Sequence, residues 1–363
     1  MEQLSLHHWH LAQGAKMVPF AGYEMPVQYA GGILAEHRAV REKAGLFDVS
    51  HMGEISLKGA GAARFLDECL VNSPSEMAIG KALYSILTNE AGGVIDDLIV
   101  YRDGEEEFFL CVNASNREED FAHLQKLRDL GSADFLLEDL SAKTGLLALQ
   151  GPLAGDILSA VMGEEVSPEP VFTFFQTEVA GVPVRLSRTG YTGEKGFELY
   201  VAMEDLETLA NALWEAGKDR GLALCGLGCR DSLRLEAGYP LHGHEISPTI
   251  SPVQARLSWV VDWDKVASYP GKEVLHRQKA EGVPSRVCFF RSRQRRILRE
   301  GTEIQSGGKI VGKVLSGTLS PVLNEAIGSA LIEKDALTAK DWVALLRGKE
   351  IPLERVKPPF TKL

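Results

Sequence analysis

Nowhere in the 363 residues do 18 apolar residues run together, so no segment is expected to span a bilayer. The first 16 residues hold three histidines but neither an apolar h-region nor an Arg/Ser-rich presequence, and no signal or transit peptide is expected. Positive charge is in short supply: 39 Lys and Arg against 50 Asp and Glu leave a formal charge of −11. An acidic chain repels phosphate backbones at long range, which disfavours a general nucleic-acid binder and leaves room only for a local basic groove. Cysteine is scarce, odd in number and scattered, with five residues at Cys69, Cys111, Cys225, Cys229 and Cys288. That pattern argues against a disulfide framework and for small buried thiols in a reduced, cytoplasmic protein. Cys225 and Cys229 form a C-x3-C pair with no second pair or nearby His, too little for zinc, so no metal is expected. Also missing are a Walker loop, a G-x-S-x-G nucleophile elbow, an H-E-x-x-H helix, heptad arrays and low-complexity tracts. These absences remove the common nucleotide, serine-hydrolase and zinc-protease readings.

What remains is an ordinary globular chain, 45% hydrophobic and 25% charged, long enough for two or three domains. Helical periodicity alternates irregularly with hairpin signals, which predicts an α+β protein rather than a doubly wound parallel sheet. Residues 33–44 read as an amphipathic helix stopped by Gly45. Residues 53–58, 82–88, 94–101 and 108–112 read as strands, with a glycine-bearing hairpin loop at 89–93. Helices are expected at 61–69, 116–128, 151–162, 205–219 and 227–236, and a hairpin over 172–188 turning at Ala180-Gly181. From Arg286 onward short strands alternate with Gly-rich turns, a texture that suits a small antiparallel barrel or sandwich, and a boundary is placed near Ala280.

Three segments could carry chemistry. Asp96 and Asp97 stand in the run V-I-D-D-L-I-V, and strand alternation sends their carboxylates to opposite faces, so only one can meet an inner cavity. The bland alternative is a pair of acids satisfying backbone donors beside a turn. The segment S-R-T-G-Y-T-G-E-K-G-F-E at 187–198 spaces Gly190, Gly193 and Gly196 three apart, which is not a dinucleotide fingerprint. It is either a flexible loop or a tight one presenting Tyr191 and Glu198 to a planar heterocycle. A carboxylate accepts two parallel N–H bonds from an amino-pyrimidine edge as it does from Arg. Finally, Arg230 and Arg234 are four apart on one helix face: Arg230 could bind a carboxylate ligand, and Arg234 could pair with Asp231 or face solvent. The H-H-x-H cluster of His7, His8 and His10 lacks a supporting acid or Cys. The run Arg291, Arg293, Arg295, Arg296 and Arg299 reads as a solvated strand face, with docking of an acidic partner as the minor alternative.

These segments, with G-A-K-M-V-P-F-A-G-Y-E-M-P at 14–26, F-D-V-S-H-M-G-E at 47–54, R-D-S-L-R-L-E-A-G at 230–238, L-S-W-V-V at 257–261, Ser316-Gly317 and Ser320-Pro321, resemble the T-protein family of the glycine cleavage system nearly end to end. The resemblance implies a three-domain cloverleaf around a central folate cavity. Residues 1–280 would hold two interleaved α+β domains (about 1–50 with 140–250, and 51–139), and residues 281–363 a C-terminal β-barrel or jelly-roll. It implies a tetrahydrofolate-dependent aminomethyltransferase that takes its one-carbon unit from a lipoylated H-protein, with no metal, nucleic acid or membrane involved. By the same resemblance Asp97 is the catalytic acid, and Glu198, Tyr191, Tyr84, Asn113, Arg230, Tyr239 and Met52 bind folate. The sequence departs from the family pattern at His242, Leu315 and Thr361. Competing readings on the same scaffold are a tetrahydrofolate-dependent demethylase and a non-enzymatic folate-binding relative that assists iron–sulfur maintenance. The latter carries a Cys-containing K-G-C motif, where this chain reads A-G-Y-P-L-H-G-H-E at 237–245.

Overall fold

A computed structural model gives the architecture and describes residues 1–131 and 134–362. The chain forms two compact units that do not follow it linearly. Met1–Leu66, Pro74–Tyr84 and Leu98–Leu233 make the first; Asp67–Ser73, Ser85–Asp97 and Arg234–Leu363 make the second.

The first unit begins with β1 (Glu2–Gln3), α1 (His7–Ala12), β2 (Lys16–Phe20), β3 (Tyr23–Gln28), α2 (Ile33–Glu42), β4 (Ala44–Asp48) and β5 (Gly53–Lys58). Then α3 (Ala62–Cys69), β6 (Ala82–Thr88) and β7 (Val94–Gly104) each run from one unit into the other. The first unit continues with β8 (Glu107–Val112), α4 (Arg117–Leu130), β9 (Leu136–Asp139), β10 (Thr144–Gln150), α5 (Ala154–Met162), β11 (Phe174–Val179), β12 (Val182–Ser187), β13 (Gly196–Ala202), α6 (Leu206–Gly217), β14 (Leu222–Leu224) and the start of α7 (Leu227–Ala237).

A six-stranded sheet of order β11-β12-β13-β10-β4-β14 is the centre of this unit, and β6-β7-β8-β5-β9 form a second sheet. The central sheet is buried on both faces. Leu147, Leu149, Phe197, Leu199 and Val201 pack with Ile157, Leu158, Leu209 and Leu213 of α5 and α6. The alternate residues Leu146, Ala148 and Tyr200 pack with Tyr101, Phe109 and Cys111 of the second sheet. Each large side chain so removed from water contributes about 1.5–3 kcal/mol. The same alternation turns Glu198, between Phe197 and Leu199, away from the helices.

The mixed pairing agrees with the expected α+β class: β10 to β13 and β11 to β12 are antiparallel, while β1–β3 and β14–β4 are parallel. The helix expected over 33–44 stops two residues early, because Ala44 and Gly45 are taken into β4 between β14 and β10. A side chain at Gly45 would lie 2.4 Å from Val40 Cγ2, so the crossing needs glycine there.

In the second unit α8 (Lys272–Glu281) precedes a seven-stranded sheet. Its strands are β15 (Ser285–Ser292), β16 (Glu303–Ser306), β17 (Lys309–Ser320), β18 (Glu325–Glu333), β19 (Val343–Leu346), β20 (Lys349–Pro352) and β21 (Glu354–Val356), in the order β20-β19-β16-β17-β18-β15-β21. It is drawn wholly from residues 285–356 and closes over Phe290, Ile304, Ile332 and Trp342. Among the described residues no helix is long and apolar enough to cross a membrane.

Candidate active site

The three-glycine segment is a tight loop, not a flexible one. Gln150, at the end of β10, holds it from inside: its Nε2 donates to the carbonyls of Thr189 (3.1 Å) and Phe197 (3.2 Å), and its Oε1 accepts from Thr192 Oγ1 at 2.9 Å. The contact leaves no room for side chains. A Cβ on Gly190 would fall 2.0 Å from Gln150 Oε1, and one on Gly196 2.3 Å from the Leu149 carbonyl. From outside, Arg41 donates to the Thr192 carbonyl at 2.7 Å and to Glu194 at 3.0 Å.

This loop delivers Glu198 into the face between the two sheets, where it is 8% exposed. Its Oε2 accepts from Thr189 Oγ1 at 2.5 Å. That hydroxyl continues a polar chain to Ser187 Oγ at 2.7 Å and Tyr101 Oη at 3.3 Å, and from Tyr101 to Tyr200 Oη at 3.0 Å. Burial pushes the Glu198 carboxyl above its ordinary pKa, against the Thr189 bond and the charge of Arg230. Arg230 stacks its guanidinium over the Tyr191 ring, 4.9 Å from the centroid. Its Nη1 is buried with no hydrogen-bond partner among the described residues. His51 is buried nearby and held to a pKa of about 4, first by burial and then by Arg230, so its imidazole is neutral at pH 7. Met52 packs against the cluster of Tyr101, Cys111 and Tyr200, and Tyr84 and Asn113 are half-buried.

The first unit therefore gathers Glu198, Tyr191 and Arg230, and also contains Met52, Tyr84 and Asn113. Asp97 and Tyr239 belong to the second unit. On β7, Asp96 is fully buried while Asp97 is half-buried, so the two acids do differ in access as alternation requires. The hairpin before them is clamped. Asn89 Oδ1 accepts from the N–H groups of Ala91 and Gly93, and its Nδ2 donates to the Pro248 carbonyl at 2.9 Å. A Cβ on Gly93 would sit 1.9 Å from that carbonyl oxygen. Tyr239 is 38% exposed, directly after the buried network of Arg234.

Other sequence features resolve into structure. His10 bonds Asp48 and Tyr29, each at 2.8 Å, in a buried network, and Arg291 forks onto Glu354. Glu36, Cys225 and Cys229 bring one donor atom each within 4.8 Å. Both Glu36 oxygens already accept backbone N–H bonds, from Tyr29 and Gly226, and burial pushes the Cys225 thiol well up. This group ties α2 to the start of α7. The Thr189–Tyr101–Tyr200 chain and the Gln150 brace were not legible beforehand; only the glycine spacing hinted at close packing.

The family profile for the GCVT N-terminal domain matches residues 6–265, and that for the glycine cleavage T-protein C-terminal barrel domain matches residues 285–362. The chain belongs to the glycine cleavage T-protein family. It is 43% identical to the aminomethyltransferase of Bacillus pumilus over 364 residues, covering 100% of this chain and 99% of that one. Identity to the aminomethyltransferase of Thermus thermophilus is also 43%, with 100% of both chains covered. A crystal structure of glycine cleavage system aminomethyltransferase T from Bartonella henselae superposes with a TM-score of 0.91 at 34% identity, over 99% of this chain and 98% of that one. In this T-protein, Glu198 is braced by the glycine loop and bonded by Thr189, and one Arg230 nitrogen has no hydrogen-bond partner among the described residues.

Proposed function

We propose that this T-protein is a cytoplasmic aminomethyltransferase that moves a methylene group from an aminomethyl-lipoyl H-protein to tetrahydrofolate, releasing ammonia and the dihydrolipoyl arm. The observation that carries the reading is Glu198: a buried carboxylate, aimed by a loop that tolerates no other geometry, beside an arginine with bonding capacity left over. Glu198 accepts the amine and ring N–H of the pterin's amino-pyrimidine edge. Tyr191, Tyr84 and Met52 cover its rings, Asn113 and Tyr239 add polar contacts, and Arg230 takes a carboxylate of the folate tail.

Asp97 supports the chemistry. Joining two folate amines through one carbon passes through cationic, iminium-like species and takes protons off nitrogen. A fixed carboxylate beside those nitrogens lowers the charged states and orients the attacking amine. Its half-burial supports this role over Asp96, which is closed off from any ligand. Residues 281–363 form a domain of their own in this reading, supported by a sheet that uses no strand from before residue 285.

The test is an assay of ammonia release from aminomethyl-lipoylated H-protein with tetrahydrofolate. Ammonia and 5,10-methylene-tetrahydrofolate are expected in equal amounts. Methyl transfer from an aromatic ether or a methylamine without H-protein would assign the chain to the demethylases instead. Folate binding with neither reaction would assign it to the non-enzymatic relatives.

A further inference from the structure

Glu198 is held by one hydroxyl, and that hydroxyl has company. Thr189 Oγ1 donates to Glu198 Oε2 at 2.5 Å, with Ser187 Oγ at 2.7 Å and Tyr101 Oη at 3.3 Å on its other side. Tyr101 Oη in turn has Tyr200 Oη at 3.0 Å. Each hydroxyl carries one proton and two lone pairs, so a proton count sets the direction of the whole series. An ionised Glu198 has no proton to give, and Thr189 donates its own. Thr189 can then only accept from Ser187 and Tyr101, and Tyr101, having donated, can only accept from Tyr200. Every O–H points toward the carboxylate, and donors aligned head to tail polarise one another. A proton on Oε2 would compete with Thr189 for the same bond and force the series to reverse or break.

The main chain at Thr189 is pinned as well, since its carbonyl accepts from Gln150 Nε2 at 3.1 Å. Ser187 lies directly opposite Glu198 in the β12–β13 ladder. The titratable groups that face the carboxyl are Arg230 on α7, Tyr101 on β7, Cys111 on β8 and Tyr200 on its own strand. Burial pushes both tyrosines and the cysteine up, so all three stay neutral at pH 7. Against the burial that raises Glu198 stand Thr189 first and Arg230 second. Glu198 Oε1 has no hydrogen-bond partner among the described residues and is not sealed from solvent, and Thr189 occupies only one lone pair of Oε2. Both oxygens therefore keep acceptor capacity.

We propose that Thr189 is a positioning residue for pterin recognition: backed by Tyr101 and Tyr200, its hydroxyl holds Glu198 as a two-oxygen acceptor and fixes the plane in which an amino-pyrimidine edge docks. Thr189 itself does not touch the ligand. The proposal rests on the folate reading of the site.

Calorimetric titration of the full chain with tetrahydrofolate, repeated from mildly acid to mildly alkaline buffer, tests it. Thr189→Val keeps the shape and loses the hydroxyl, and is expected to weaken binding about tenfold at neutral pH. Without that donor Glu198 takes up a proton more readily, so the gap to the wild type should widen as pH falls and narrow as it rises. Thr189→Ser, which keeps the hydroxyl, should bind within about threefold of the wild type across the series. Tyr101→Phe removes only the second link and should show the same pH trend with a loss of about two- to fivefold. A Thr189→Val gap that is constant across pH, or a Thr189→Ser loss as large as that of Thr189→Val, would overturn the proposal in favour of a packing role. Should Thr189→Val not fold, Tyr101→Phe carries the pH comparison, and a gap that does not change with pH overturns the proposal there too. Failure of the folate reading looks different: the wild type would not bind tetrahydrofolate, or Glu198→Ala would bind it unchanged at every pH.

Discussion

Arg234 directs its guanidinium to Glu245 at 2.9 Å, Ser316 at 2.9 Å and the Tyr239 carbonyl at 3.1 Å, and is 1% exposed. Arg230, one turn earlier on the same helix, lies over Tyr191 with one buried nitrogen that has no hydrogen-bond partner among the described residues. The two residues are alike in type and helix; Arg234 is fully buried and Arg230 half-buried, and they differ in completeness. Glu245 shows what completeness does: burial alone would raise its pKa, but Arg234 and the Ser329 and Ser316 hydroxyls reverse this and hold it below the ordinary carboxylate range. Glu198, with a single hydroxyl donor and a more distant arginine, stays raised. A closed set of partners marks a polar group that serves the fold; an open set leaves room for a ligand, which is the role proposed above for Glu198 and Arg230.

The largest effect that could break this contrast is on stability. Arg234→Ala leaves Glu245 charged, buried and short of its main partner, and should cost about 3–5 kcal/mol in chemical denaturation. A loss under 1 kcal/mol would mean that the closed network is not structural. Next comes Asp97→Asn, expected to lower turnover in the H-protein assay at least a hundredfold, about 2.7 kcal/mol. Folate affinity should stay within about tenfold, ~1.4 kcal/mol; retained turnover would remove Asp97 from the chemistry. Glu198→Ala should weaken tetrahydrofolate binding by about ten- to a hundredfold. Because the pKa of Glu198 is raised in the folded state, ionising it disfavours folding. The wild type should therefore lose stability relative to Glu198→Ala as pH climbs from the ordinary Glu value through the folded one. An unchanged folate titration would refute the pterin-edge role.

The smallest effect sharpens the arginine contrast. Arg230→Met should leave stability within about 1 kcal/mol and weaken binding of a glutamate-bearing folate roughly tenfold. Binding of a pterin without the tail should barely change. In the same variant the His51 imidazole, followed by NMR, should titrate above its value of about 4, since one of the two causes of its depression is gone. A His51 titration that does not move would show that burial alone sets it.

How much of this could be read beforehand depends on the range of the contacts. The strand at 82–88 and the helix from Leu227 follow from local periodicity and are found at those positions. Alternation alone separated Asp96 from Asp97. Strand β4 was hidden, because its helical end and its pairing with β14 are settled by residues nearly 180 positions away. Arg234 was expected to meet Asp231 or solvent. Its ion partner Glu245 is 11 residues on, beyond the end of the helix, where no periodicity rule reaches. The glycine spacing of the 187–198 segment was visible, but the reason for it, the Gln150 side chain on a different strand, was not.

Gln150 touches both ends of the loop and, in the reading given, never meets the vitamin. Replacing it would let the recognition segment sag, so the lesion would register as lost affinity with the pocket's own residues untouched. A library selected on folate retention alone would score this amide as a contact residue. Selection on thermal midpoint as well would sort the scaffold from the surface it supports.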